Sequence, residues 1–228
     1  MSNLLFGVTT SPATLATVQS FLRERVASGT RVGVEYTAEH YANFFNMTEI
    51  SPQDIFWREV IDFLKERKCK IVYLDSEKLR TEIDAVHKKG SLSLKDAEKV
   101  FSREQVFLRK IPSCQISVLG AAHAINLKQK TKSQLVLEHI TSLMHEKGLI
   151  PLTPENLVNR TFSAKRFSAF ETLLKANPVH SPNGNHKKGK LEEARRLIAM
   201  RKERLQRLAD LEKKRKPNKP VKPKRSLK

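Results

Sequence analysis

Four short apolar runs, spaced through the first 120 residues and separated by helix-like stretches, constrain this chain more than any other feature. They are Leu4–Val8 (LLFGV), Arg31–Tyr36 (RVGVEY), Lys70–Asp75 (KIVYLD) and Gln115–Gly120 (QISVLG). Each is apolar on both faces, as strands are when helices cover a sheet from both sides. The stretches between them carry helical spacing. Pro12–Ala27 places Leu15, Val18, Leu22 and Val26 on one face, and Gly29 follows as a stop. Ser51-Pro52-Gln53-Asp54 reads as a helix start with proline at the first helical position, and Ser76–Lys89 and Ser93–Lys110 read as two more helices. Strand and helix in alternation predict an α/β fold: a small, mostly parallel sheet flanked by helices in three layers.

Beyond the fourth strand the sequence predicts helices over Thr131–Lys147, from Thr153-Pro154-Glu155, and over Ser163–Ala176. The expected α/β domain therefore spans 1–176. A linker rich in Pro, Gly, Asn and His follows over 177–190, then a basic amphipathic helix over 191–215 and a disordered basic tail over 216–228. Charge is divided just as unevenly. Residues 187–228 hold 18 basic and 5 acidic residues, a net of +13, out of +19 for the whole chain. Lys213, Lys214, Arg215, Lys216, Lys219, Lys222, Lys224 and Arg225 make the tail a candidate for binding the phosphates of RNA or DNA. The helix over 191–215 equally suits a protein partner, self-association or an anionic membrane surface, and a solvated tail that aids solubility explains the same charge.

Two cysteines, Cys69 and Cys114, with no CxxC pair, fit a reducing compartment rather than a disulfide framework. The opening residues lack the basic n-region of a signal peptide, and no run of 18 apolar residues marks a transmembrane segment, so a cytoplasmic protein is expected. Walker A, GxGxxG and GxSxG patterns are missing, which disfavours nucleotide-dependent phosphoryl transfer and serine-elbow hydrolysis.

Ligands of parallel sheets gather at the carboxyl ends of the strands. That directs attention to Thr9 and Thr10 after the first run, Glu35 in the second, Asp75 closing the third and His123 after the fourth. Glu35 interrupts an apolar run, and a buried carboxylate needs either an ion-pair partner or a metal. His123 follows Gly120-Ala121-Ala122, a small-residue turn that lets a ligand approach the backbone. A hydrogen-bonded loop histidine accounts for it as well.

Taken in order, LFGVTTSP, RVGVEYT, REQVFLRKI and ISVLGAAHAINL resemble the TraB / Tiki / ChaN / erythromycin-esterase-like superfamily over roughly Leu4–Leu127. Glu35 matches the family's strand acid, Arg103-Glu104-Gln105-Val106-Phe107 its arginine helix, and Gly120-Ala121-Ala122-His123 its late GxxH turn. The resemblance implies divalent-metal-dependent hydrolysis, with Glu35 as metal ligand or general base and His123 as ligand. Arg103 would then hold an anionic substrate group or order Glu35, and Thr9 and Thr10 would line the substrate rim. One departure stands out. The early turn reads Gly7-Val8-Thr9-Thr10, with Thr10 in the family's histidine position. A hydroxyl is a poor ligand for a transition metal at neutral pH, so Glu35 and His123 fall short of the three protein ligands usual in a catalytic zinc site. A non-catalytic binding module with a docking tail is the alternative.

Overall fold

Five strands run parallel in the order β3-β2-β4-β1-β5. They are β1 (Leu4–Val8), β2 (Arg31–Val34), β3 (Lys70–Tyr73), β4 (Ile116–Gly120) and β5 (Gln134–Leu137). The computed structural model describes residues 3–47, 50–87 and 92–177, all within the unit Met1–Val179. The linker from 178, the basic helix and the tail expected from the sequence lie outside the described residues. Helices α1 (Leu15–Arg25), α2 (Ala38–Asn43), α3 (Pro52–Glu66), α4 (Glu77–His87) and α5 (Leu94–Lys110) precede β4; α6 (Ala121–Lys130), α7 (His139–Glu146), α8 (Pro154–Val158) and α9 (Arg160–Ala176) follow it. None of the described helices is long and apolar enough to cross a membrane.

Helix starts follow local chemistry. The Ser51 hydroxyl accepts from the Asp54 N–H while the Asp54 carboxylate accepts from the Ser51 N–H, and Ser93 and Asp96 repeat this reciprocal cap at α5. Alternation along the strands divides the core. Phe6, Val8, Val34 and Val118 face α1 and α3, whose Leu22, Phe56, Trp57 and Ile61 close one layer. Leu5 and Leu119 point the other way, onto Phe107 of α5 and Ala124 and Leu127 of α6. Gly7 lets α6 lie directly on β1, because a Cβ there would come 2.6 Å from Leu137 and 3.0 Å from Ala124. A third cluster joins Ile125 of α6 to Ile140, Met144 and Leu173 of α7 and α9.

Three parts of the fold differ from the sequence expectation. The helix expected over Thr131–Lys147 is instead β5 followed by α7. Gln134–Leu137 pairs with β1, Leu4 opposite Gln134 through Gly7 opposite Leu137. Three apolar residues are too few for periodicity to separate strand from helix, and the open edge of β1 decides the matter. The residues expected to form a turn around His123 are the first turn of α6. The short α2 was also unforeseen.

The strand order sets the position of any ligand. From β1 the chain crosses towards β2; from the adjacent β4 it crosses the opposite way, over β1, to β5. Right-handed crossovers then put α1 and α6 on opposite faces, opening a crevice beyond the carboxyl ends of β1 and β4.

Candidate functional site

Glu35 lies just past β2 rather than within it, and its main-chain N–H still donates to the Val118 carbonyl of β4 (3.2 Å). Its side chain turns over the end of β4. There Oε2 accepts from the Gly120 N–H at 2.6 Å, and Oε1 lies 3.0 Å from Nη2 of Arg103. Arg103 reaches inward from α5 and also grips Asp75, just past β3: Nε donates to Oδ1 at 3.0 Å and Nη2 to Oδ2. One guanidinium thus bridges two carboxylates, all three side chains being at most 4% exposed. Lys110 adds a cap below them, its Nζ donating to the carbonyls of Tyr73 and Asp75. Next to this group Tyr36 donates its hydroxyl to Asp54, which also pairs with Arg80.

A second polar chain begins at His123. Its Nδ1 lies 3.2 Å from Oε1 of Glu104, and the ring meets Phe101 and Phe107 edge-on. Glu104 also accepts from Asn126 (3.0 Å) and from Nζ of Lys130 (2.6 Å). Nε2 of His123 is 3.9 Å from Oε1 of Glu35, beyond hydrogen-bonding distance. Burial pushes both glutamate carboxyls up, but their partners outweigh it and hold both below the ordinary value. For Glu35 the opposing groups are foremost Arg103, then His123, the Gly120 N–H and Arg80; for Glu104 they are His123, Lys130 and Asn126.

Glu35, Arg103 and His123, far apart in sequence, therefore meet at one end of the sheet. A cavity of about 470 Å³ opens beside them, lined by Val8, Thr9 and Thr10 at the end of β1, Gly120 to His123 at the head of α6, Phe101 of α5, and Ser163, Arg166, Phe167 and Phe170 of α9. His123, Thr9 and Thr10 line it; Glu35 and Arg103 do not, and lie behind its floor. Thr9 is held from two sides. Its N–H donates to the Thr141 hydroxyl at 2.8 Å, and its carbonyl accepts from the Thr14 hydroxyl at 2.6 Å. Thr10 makes no hydrogen bond to a described residue.

The residues do not fit the metal that the family resemblance implies. Among the described residues no group of three His, Cys, Asp or Glu side chains is placed to hold an ion. Oε1 of Glu35 already faces a guanidinium at 3.0 Å, so a cation on that oxygen would have to displace Arg103 or sit against its charge.

Sequence reasoning passed over Glu104, Asp54 and Arg80, because their partners come from other elements. It also passed over Arg166. A signal for that residue existed: Ser163, Arg166, Phe170 and Leu173 recur at three- and four-residue spacing, which puts a cation on the apolar stripe of α9. No protein-family model matches the chain, and neither does any curated protein or solved structure.

Proposed function

We propose that the chain is a divergent TraB-like α/β protein that serves as a binding module rather than as a metal-dependent hydrolase, with its ligand site in the cavity at the carboxyl ends of β1 and β4. The observation that carries this reading is the internal engagement of the acid. Both oxygens of Glu35 are taken, one by the Gly120 N–H and the other by Arg103, and the side chain is 3% exposed. A general base or a metal ligand must reach the species it acts on, and Glu35 does not line the cavity. What faces the space is the equipment of recognition: apolar walls with a few polar groups, at a volume ordinary for small-molecule sites.

In the same reading the basic segment beyond residue 187 docks the module on RNA or DNA through phosphates. Its support is the excess of 18 basic over 5 acidic residues; the lack of Trp, Phe and Tyr weakens base stacking and leaves phosphates as the contact.

Calorimetric titration of the full chain with Mn²⁺, Co²⁺ and Zn²⁺, paired with peptidase and esterase assays, tests the module reading against the hydrolase. Weak binding and no turnover are expected. Stoichiometric tight binding that vanishes in His123→Ala, accompanied by metal-dependent turnover, would establish the hydrolase instead.

A further inference from the structure

The cavity lining includes a cation, Arg166, with no counter-charge among the described residues. Arg166 reaches it from α9, half-buried, and makes no hydrogen bond or ion pair with any described residue. The arginines that hold the site together are each paired with a carboxylate: Arg103 has Glu35 and Asp75, Arg80 has Asp54, and Arg58 has Asp62. Burial pulls the Arg166 guanidinium below its ordinary pKa, with no anion opposing that shift. A guanidinium nevertheless stays protonated in proteins, so the cavity carries a fixed positive charge. Around it the surface is apolar, with Phe101, Met144, Ile150 and Phe170 among the lining side chains.

We propose that this cavity binds a small carboxylate with an apolar body, the carboxylate on Arg166 and the body against the aromatic and aliphatic wall. The inference rests on the binding-module reading above and names the ligand class of that site. One uncompensated charge calls for one negative charge, which favours a carboxylate over a doubly charged phosphate monoester. A planar guanidinium matches a carboxylate with two parallel hydrogen bonds. The Thr10 hydroxyl, without a partner among the described residues, supplies a further donor on the same rim. Gly120 to His123 at the head of α6 line the same space, though the Gly120 N–H is already taken by Glu35. Thr10 thereby acquires a use that its position in place of a histidine would not suggest.

Octanoate and octanamide, which share an apolar body and differ in charge, serve as probes by calorimetry and thermal shift on the full chain. Octanoate should bind at least about tenfold more tightly than octanamide, and Arg166→Gln should weaken octanoate far more than octanamide, so that the preference disappears. The comparison of the two probes on the unsubstituted protein needs no variant to fold. Equal binding of the two probes, or octanoate binding unaffected by Arg166→Gln, would overturn the carboxylate inference while leaving a binding module for neutral ligands. No binding of either probe at millimolar concentration would overturn it too. If that result came with stoichiometric metal binding and turnover, the module reading would fall as well.

Discussion

The Gly120 N–H lies 2.6 Å from Oε2 of Glu35, and a Cβ added to Gly120 would lie 3.2 Å from the same oxygen. The backbone at the end of β4 and a carboxylate just past β2 are thus fitted to each other, with no room for a side chain between them. Gly120 donates its N–H to the acid, and His123, in the first turn of α6, faces the cavity.

Gly120→Ala should therefore destabilise the fold, because Arg103 and the Gly120 N–H fix the carboxylate from two directions and it cannot retreat without breaking one contact. An overpacked contact of this kind costs about 1–3 kcal/mol. Urea denaturation should report a lower midpoint at an unchanged slope, and a midpoint equal to that of the unsubstituted protein would mean that Glu35 moves freely.

Arg103→Met should be the most damaging single change at the site. It leaves Glu35 and Asp75, each no more than 4% exposed, without their shared cation. Removing one partner from a buried pair costs about 3–5 kcal/mol. The double variant Arg103→Met with Glu35→Gln should recover part of that loss, since one of the two stranded charges is gone. Equilibrium denaturation of Arg103→Met, Glu35→Gln and the double variant against the original forms the test, and purely additive effects would contradict the ion-pair account.

Acid should weaken the protein through two carboxyls. Glu35 and Glu104 are both held below the ordinary value of 4.5, so near that pH the unfolded chain binds more protons than the folded one. Their stabilising contribution is fully present above the unfolded value and is lost as pH falls below it through the folded values. The urea midpoint should accordingly stay level from neutral pH to about pH 5 and then drop. Glu104→Gln should lower the plateau and flatten part of that drop, as measured by the midpoint at half-unit pH steps.

The proposed docking tail predicts a salt signature. If Lys213, Lys214, Arg215, Lys216, Lys219, Lys222, Lys224 and Arg225 act through phosphates, affinity for nucleic acid should fall on the order of 10³-fold or more between 50 and 200 mM salt, with little dependence on base sequence. Replacing these eight by glutamine in the full chain should abolish binding in a filter or anisotropy assay and leave the melting temperature of the protein nearly unchanged. Sequence-selective binding that survives the replacement would place recognition elsewhere.

What the sequence determined by itself was the local content of the fold. Alternating apolar runs and helical spacings specify β1 to β4 and most of the helices, and short-range chemistry such as the Ser51–Asp54 and Ser93–Asp96 caps needs only residues three apart. The prominence of Glu35 was legible too, since a carboxylate in an apolar run demands a partner, though not which one. Tertiary structure alone decided the rest. QLVL became β5 because β1 had an open edge, and β4 inserted between β1 and β2, so that crossovers diverge where the cavity opens. Glu35 found Arg103 and Gly120 across 68 and 85 residues of chain, while Arg166 meets no anion among the described residues. Periodicity and capping act over a few residues and can be read along the chain; whether a buried charge is paired depends on which strands lie side by side, and only the packed sheet settles that.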